Sequence, residues 1–269
     1  MSDGSLIRFE GLHKAFGPKK IYEGLDLEIR KGETLTVIGG SGTGKSVLLK
    51  CLIGLQFPDA GRVVFDGQDL AGLSEDDFLP VRRRVAMVFQ GAALFDSLTV
   101  GENIAYPLLE NDRAMPEEEV QKRVKRKLEL VNLPGIEDMR PSDLSGGMRK
   151  RVGLARAIAT DPEVILWDEP TTGLDPISTR VIDDLIVSMK HQLGCTSIVV
   201  THDMDSAFRV SDRMAMLYGR RIVQVGTVQE MQQSQRPEVR AFFDARKTDL
   251  KTDRAHAHRT DLKQEAPRP

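Results

Sequence analysis

Short apolar runs alternate with stretches of helical period along most of this chain. Residues 34 to 90 and 161 to 218 both show this strand–helix order, which predicts an α/β fold with a parallel sheet. Residues 6 to 38 instead alternate apolar and polar positions, most clearly at residues 25 to 29. This second pattern predicts an antiparallel β subdomain beside the parallel sheet.

The stretch between these two regions is helical in pattern. We predict a helix over residues 100 to 109 that ends near Pro107, since proline breaks helix interiors. Pro116 opens a second helix, with three glutamates in its first turn and lysines further on, the charge order that complements the helix dipole. A third helix runs from about residue 146 to 160. Together they predict a helical insert at about 95–160.

The C-terminal part of the chain contains two different segments. Residues 237–246 predict a short amphipathic helix, whose valine and two phenylalanines need an apolar surface in this domain or on a partner. Residues 247–269 contain mostly charged residues and threonine, with few large apolar groups, which predicts a disordered charged tail. We therefore assign residues 1–246 to one folded domain.

A glycine-rich segment follows the apolar run that ends at Ile38. It has the phosphate-binding loop pattern, a glycine and four residues before Gly-Lys-Ser, followed by a helical stretch. Backbone N–H groups and a helix N-terminus then cradle a polyphosphate. Lys45 is placed to neutralise the β- and γ-phosphates and Ser46 to bind Mg²⁺. We predict nucleotide contacts from Gly39, Gly40, Ser41, Gly42, Thr43, Gly44, Lys45, Ser46 and Val47.

A second nucleotide element is the apolar run that ends in Asp168 and Glu169. In a parallel sheet, such a strand ends at the edge where ligands bind. Asp168 suits the Mg²⁺ shell, through water, and Glu169 suits polarising the water that attacks the γ-phosphate. Beside the phosphate-binding loop, these carboxylates predict hydrolysis of a nucleotide polyphosphate with Mg²⁺.

Composition narrows the setting of this chemistry. The 269 residues carry a net charge of −2, which argues against a nucleic-acid partner on bulk electrostatics. No apolar run approaches the roughly eighteen residues of a membrane span, and no signal peptide is evident. Cys51 and Cys195 are expected to be reduced packing residues rather than a disulfide. We therefore expect a cytosolic chain whose partner supplies any membrane spans.

Further motifs in the chain resemble those of ABC-type ATPases. The signature of that family is similar to Leu144-Ser145-Gly146-Gly147-Met148, which precedes the two carboxylates. Gln90 resembles the Q-loop glutamine, Asp175 lies in a segment similar to the D-loop, His202 resembles the switch histidine, and Phe16 sits where the family stacks an aromatic ring on adenine. The resemblance covers roughly residues 6 to 235.

This resemblance implies a P-loop NTPase (RecA-like) fold with an α-helical signature subdomain. It also implies a head-to-tail homodimer, in which Lys45 of one chain and Ser145 of the other hold the same ATP. A helix N-terminus at the signature, capped by Ser145, would face the phosphates. The implied nucleotide set then gains Phe16, Ser145, Gly146, Gly147 and Asp175; the metal set is Ser46, Gln90 and Asp168; the catalytic set is Glu169, His202 and Gln90.

Three stretches resemble the ATPases of Mce/Mla-type lipid transporters: residues 91–108, Met148 and residues 237–244. Met148 departs from the generic signature, which ends in glutamine. Residues 91–108 follow the Q-loop, where the family receives the coupling helix of the permease, and their apolar side chains form that groove or pack inside the insert. By the same resemblance, we expect the C-terminal segment to be a docking place for a small accessory subunit.

We therefore expect an ATP-hydrolysing subunit of a lipid transporter, peripheral on the cytoplasmic face of a bacterial inner membrane. An importer ATPase for a polar solute, such as an amino acid, keeps the same catalytic motifs, so only residues 91–108 and the C-terminal segment discriminate. A non-transport ABC protein acting on DNA or ribosomes carries two cassettes or a long coiled-coil insertion, unlike this sequence. A module that binds nucleotide without hydrolysis disagrees with Glu169 and His202.

Overall fold

The computed structural model describes residues 4–244, which form two β-sheets and the helices around them. The strands are β1 (Ser5–Phe16), β2 (Lys19–Arg30), β3 (Thr34–Ile38), β4 (Ala60–Phe65), β5 (Gln68–Asp69), β6 (Val85–Val88), β7 (Val164–Asp168), β8 (Thr196–Val200), β9 (Arg213–Tyr218) and β10 (Arg221–Thr227). The helices are α1 (Lys45–Leu52), α2 (Glu75–Arg84), α3 (Val100–Asn111), α4 (Glu117–Leu130), α5 (Gly146–Ala157), α6 (Pro176–Leu193), α7 (Met204–Val210) and α8 (Val228–Gln232).

The larger sheet has the strand order β10-β9-β3-β8-β7-β6. Strands β9, β3, β8, β7 and β6 run parallel to one another, and β10, at the edge, is antiparallel to β9. Every residue of β3 and β8 is buried, as expected for strands with both faces covered. The carboxyl ends of β3, β6, β7 and β8 therefore lie along one edge, and the predicted parallel-sheet α/β core is confirmed.

The smaller sheet is antiparallel, with the order β2-β1-β4-β5. In β2 the side chains of Leu25, Leu27 and Ile29 are buried, while Asp26 and Arg30 face outwards, which is the predicted alternation. The buried face of this sheet shares one apolar cluster with α1 and β3. The antiparallel sheet therefore supports the segment that leads from β3 to α1.

Helices α3, α4 and α5 lie between β6 and β7 in the chain and share an apolar cluster with β7 and α6. The predicted end of α3 near Pro107 is wrong, because the helix continues to Asn111. Val100, Ile104 and Leu108 are all buried on one face. Burying the leucine beyond the proline contributes about 1.5–3 kcal/mol, comparable with the cost of proline inside a helix.

The chain is helical again at residues 237–244, the last that are described. Val239 is completely buried in a cluster with α7, α8 and β9, so this domain supplies the apolar surface that the valine needs. Phe243 is partly buried there, with its ring centroid 5.7 Å from that of Phe208. The predicted tail, residues 247–269, lies outside the described residues. Within residues 4–244, no helix is long and apolar enough to cross a membrane.

Candidate active site

The glycine-rich loop joins the end of β3 to the start of α1. Gly44 occupies the N-cap position of α1 in a left-handed conformation, and no side chain caps this helix. The first turn of α1 contains no acidic residue. The N-terminal N–H groups of α1 and its positive dipole end are therefore available to an anion, which is the property that phosphate binding requires.

Two glycines of this loop are required by packing within the protein itself. A Cβ atom on Gly39 would lie 2.5 Å from the carbonyl oxygen of Leu217, and one on Gly44 would lie 2.4 Å from Cγ2 of Ile21. Gly42 differs, because its φ of +71° favours glycine while no atom lies within 4 Å of its Cβ position. The loop is thus closely packed on its protein side and open on its ligand side.

Lys45 brings a cation to this loop although its side chain is only 6% exposed. Its Nζ donates to the carbonyl oxygens of Gly39 and Gly40, both at 3.0 Å, and lies 4.0 Å from Oε1 of Glu169. A buried ammonium beside open N–H groups fits a polyphosphate, whose negative charge it can neutralise.

Ser46 and Asp168 meet where α1 begins and β7 ends. The Ser46 hydroxyl donates to Oδ1 of Asp168 at 2.5 Å. Oxygen donors of this kind suit Mg²⁺, which usually takes one or two protein ligands and completes its shell with water and phosphate. Within residues 4–244, no group of three or more His, Cys, Asp or Glu side chains could hold a metal on its own. The donor set therefore fits Mg²⁺ brought in with a nucleotide.

Glu169 turns sharply out of the sheet just after β7, with a φ of +50°. Its N–H donates to the carbonyl of Val200, and its Oε2 lies 2.7 Å from Nδ1 of His202. The Thr172 hydroxyl also donates to Oε2, at 3.3 Å. The ends of the neighbouring strands β7 and β8 therefore bring a carboxylate and an imidazole together, as acid–base catalysis requires.

These groups surround an open cavity of about 460 Å³. Phe16 is 44% exposed and lines the cavity from the end of β1, where a flat aromatic ring can stack on a base. Gly39, Gly40, Thr43 and Asp168 do not line it; the Thr43 hydroxyl instead donates to the Gly40 carbonyl and shapes the loop. The lining residues are Phe16, Lys19, Ile21, Ser41, Gly42, Gly44, Lys45, Ser46, Val47, Gln90, Glu169, Thr172 and His202.

The signature residues Ser145, Gly146 and Gly147 do not line this cavity. Ser145 is the N-cap of α5, and its hydroxyl accepts from the N–H of Met148 at 3.2 Å. A Cβ on Gly147 would lie 3.1 Å from Oγ of Ser178 in the first turn of α6. The signature is therefore a second helix N-terminus, supported by α6 and separate from the cavity within this chain.

Asp175, predicted to contact nucleotide, is the N-cap of α6. Its Oδ1 accepts from the N–H groups of Ile177 and Ser178, and its Oδ2 accepts from the Ser178 hydroxyl at 2.5 Å. These hydrogen bonds, with that of the Ser178 hydroxyl the strongest, lower the pKa of the Asp175 carboxyl. Its side chain thus organises the segment beside the signature.

The sequence patterns missed Lys19, Thr172 and Lys150. Lys19 opens β2 and lines the cavity near Phe16, while Thr172 contacts Glu169. Lys150 lies on α5, and its Nζ donates to the carbonyls of Pro170 and Thr172 at 2.9 and 2.6 Å. For Thr172, the sequence signal was its position three residues after Glu169. For Lys150 there was no signal, because no periodicity marks a contact between α5 and this loop.

Comparison with known proteins relates this geometry to a family. Residues 22–172 match the model of the ABC transporter family. The probable ribonucleotide transport ATP-binding protein mkl of Mycobacterium leprae is 41% identical over 92% of this chain and 71% of its own length. The intermembrane phospholipid transport system ATP-binding protein MlaF of Haemophilus influenzae is 41% identical over 86% of this chain and 87% of its own. The methionine import ATP-binding protein MetN of Caulobacter vibrioides is 42% identical over 84% and 68%.

A solved structure resembles most of the fold. It is a dimeric post-hydrolysis state of the ATP-binding cassette MJ0796 bound to ADP and Pi, with 31% identity, a TM-score of 0.76 and coverage of 83% of this chain and 99% of that one. The matched regions include the glycine-rich loop and both carboxylates. The chain therefore belongs to the ABC transporter family and is an ATP-binding ATPase of that family.

Proposed function

We propose that this chain is the ATP-hydrolysing subunit of a membrane transporter for (phospho)lipids, and that ATP closes a dimer of two such chains. The observation that carries the catalytic part is one cavity that gathers Lys45, Ser46, Gln90, Glu169 and His202 from four separate segments. The likeness to MlaF supports the lipid part.

In this proposal different residues bind the adenine and the phosphates of the nucleotide. Phe16 stacks on the adenine, while Lys45 and the N–H groups of the glycine-rich loop bind the phosphates. Ser46, Gln90 and Asp168 would hold Mg²⁺, and the ion would supply charge neutralisation at the phosphates.

Glu169 acts as the general base toward the attacking water. Its Oε2 is held by the His202 ring at 2.7 Å and by the Thr172 hydroxyl at 3.3 Å, so the position of this oxygen is fixed. Gln90, from the segment after β6, lines the same cavity and orients the water and the metal. A fixed base in a preformed cavity reduces the reorganisation needed for hydrolysis.

The signature supports the dimer, because α5 presents a helix N-terminus that is remote from the cavity of its own chain. In a two-fold head-to-tail dimer, Ser145, Gly146 and Gly147 of one chain complete the site of the other. Two ATP molecules then lie in one interface, and hydrolysis releases it. The dimeric state of the MJ0796 cassette supports this arrangement.

A groove of about 580 Å³ beside β6, α3 and α5 supports a permease partner near residues 91–108. Phe95 and Tyr106 line it while 42% and 46% exposed, and their ring centroids are 5.0 Å apart. Leu94, by contrast, packs against the core of the helical insert. An exposed aromatic floor suits an amphipathic helix of a membrane subunit, and this supports our proposal that the chain is peripheral on the cytoplasmic face of the membrane.

Overall sequence identity does not separate a lipid from a polar solute as the cargo, because identity to MlaF and to MetN is nearly equal. Residues 91–108, Met148 and the helical segment 237–244 favour lipid. Val239 is buried within this domain, and Phe242 and Phe243 pack, partly buried, against the same cluster, so an accessory subunit here would dock on a segment that this domain already holds. An importer for a polar solute such as methionine is the second candidate, favoured by the likeness to MetN.

The test is to purify the native complex through a tag on this chain and reconstitute it in vesicles. We expect co-purified phospholipid by mass spectrometry and ATP-dependent transfer of a labelled phospholipid, both measured against a Lys45→Ala complex. ATP-dependent uptake of labelled methionine, without any lipid transfer, would reverse the choice of cargo and leave the ATPase role intact.

A further inference from the structure

The side chain of Lys150 links the signature helix to the catalytic loop. Lys150 lies in the second turn of α5, which begins at the signature. Its Nζ donates to the carbonyl oxygens of Pro170 at 2.9 Å and Thr172 at 2.6 Å. These two carbonyls belong to the loop that follows Glu169, so one ammonium binds that loop at two positions.

The loop continues this link to the carboxylate. The hydroxyl of Thr172 donates to Oε2 of Glu169 at 3.3 Å, and the N–H of Thr172 donates to the carbonyl of Glu169, also at 3.3 Å. Glu169 itself has a φ of +50°, a conformation that non-glycine residues keep only when their surroundings hold them. An uninterrupted set of hydrogen bonds therefore runs from α5 to the proposed general base.

The neighbouring cations of α5 are used elsewhere. Arg149 donates to the carbonyl of Leu144, and Arg151 donates to the carbonyls of Val131 and Asn132. Burial lowers the pKa of the Lys150 ammonium, and the negative charge of Glu169 acts in the opposite direction. Lys150 is thus the cation of this helix that reaches the catalytic loop, and its partial burial strengthens its hydrogen bonds to the carbonyls.

We propose that Lys150 is a positioning residue that couples the two ATP sites of the dimer. The inference rests on the proposed head-to-tail dimer, in which the N-terminus of α5 faces the nucleotide held by the partner. Seating of that N-terminus on one ATP is then transmitted through Lys150 to the loop that holds Glu169 against the other ATP. Each site hydrolyses at full rate only when the opposite site is also closed.

The test compares Lys150→Met and Lys150→Arg with the matched control Arg151→Met. The control removes the same kind of cation–carbonyl contact from the adjacent position of α5. We expect Lys150→Met to lower kcat about tenfold, the cost of losing one or two charge-assisted hydrogen bonds, and to bring the Hill coefficient for ATP towards 1. Lys150→Arg should restore most of both values, and Arg151→Met should retain the wild-type Hill coefficient.

Two further readouts distinguish failure of the Lys150 inference from failure of the proposed dimer. ATP binding by the monomer should be unchanged in Lys150→Met, which also shows that the variant is folded. In a Glu169→Gln background, Lys150→Met should still form an ATP-trapped dimer. Wild-type kcat and cooperativity in Lys150→Met would overturn the role of Lys150, as would equal losses in Arg151→Met. Absence of any ATP-dependent dimer in Glu169→Gln alone would instead overturn the proposed dimer.

Discussion

The N-termini of α1 and α5 both lie in glycine-rich sequence and both lack acidic residues in their first turns, yet they differ in charge. The first has Lys45 buried beside it and two carboxylates nearby. Residues 144 to 147 before and at the start of α5 contain no charged side chain, and the three cations that follow bind carbonyls of their own chain.

This difference suggests an order of events. A helix N-terminus alone contributes only about 0.3–1 kcal/mol toward an exposed anion, whereas α1 adds a full positive charge. Nucleotide is therefore expected to bind first at the glycine-rich loop of one chain. In the proposed dimer, the signature of the second chain would then bind phosphates that already have Lys45 beside them.

The largest expected effect follows removal of Glu169, a carboxylate that lies near the N-terminus of α1 and has no counterpart at the start of α5. Glu169→Gln should lower the ATPase rate by a factor of about 10² to 10⁴, the usual contribution of a general base, while ATP still binds. With ATP and Mg²⁺ the variant should persist as a dimer in size-exclusion chromatography. A variant that hydrolyses ATP at the normal rate would remove Glu169 from this role.

A pair of variants then distinguishes the role of the glycine-rich loop from that of the signature. Lys45→Ala should weaken ATP binding to the monomer at least tenfold, because the phosphates lose their buried cation. Ser145→Arg should leave that binding within about twofold of wild type and still abolish the trapped dimer, because a bulky side chain blocks the start of α5. Titration with a fluorescent ATP analogue and chromatography measure both.

Mixed dimers sharpen the same comparison. A dimer of one Lys45→Ala chain and one Ser145→Arg chain contains one site with both lesions and one site with neither. Activity well above that of either parent dimer would support sites shared between chains. Rates that equal the mean of the parents would contradict sharing.

The smallest effect on ATP binding is expected at Asp183 of α6, the helix that supports the signature at Ser178, where the change concerns stability instead. Asp183 is buried, its Oδ1 has no hydrogen-bond partner among residues 4–244, and Oδ2 lies 3.8 Å from Arg209. Burial, with smaller contributions from Asp203 and Asp184, raises the pKa of this carboxyl to about 6, against the opposing effects of Ser206 and Arg209.

The ionised carboxylate therefore destabilises the folded state at neutral pH. Asp183→Asn should raise the free energy of unfolding by up to roughly 3 kcal/mol above pH 6, the equivalent of the pKa shift. Below pH about 4 the carboxyl is protonated in both states and the gain should vanish. Thermal unfolding at several pH values measures this; a gain that is independent of pH would contradict it, and monomeric ATP affinity should not change.

The sequence predicted what depends on local pattern. The buried strand before the glycine-rich loop and the two carboxylates at the end of β7 each combine an apolar run with a chemical motif, so their places at one sheet edge followed from parallel topology. The helix end at Pro107 was wrong, because burial of Leu108 on the face shared with Val100 and Ile104 is a tertiary effect.

Contacts between elements that are distant in sequence were also out of reach. Nothing in the pattern around Lys150 indicates that its ammonium binds the loop after Glu169, and nothing around Asp183 indicates an unsatisfied carboxylate oxygen. The packing that demands glycine at positions 39 and 44 involves Leu217 and Ile21, on strands of two different sheets. Such effects depend on where side chains meet after folding.

The contact between Gly44 and Ile21 has a genetic consequence. The space that a side chain at position 44 would need is filled by a branched residue of β2, so the two positions are matched in volume. A lesion in the antiparallel sheet can therefore act as a nucleotide-binding lesion. A smaller residue at position 21 would remove only one obstacle to Gly44→Ala, because the φ of +108° at position 44 and the ring of Tyr22, 3.1 Å from the Cβ position, also oppose a side chain there.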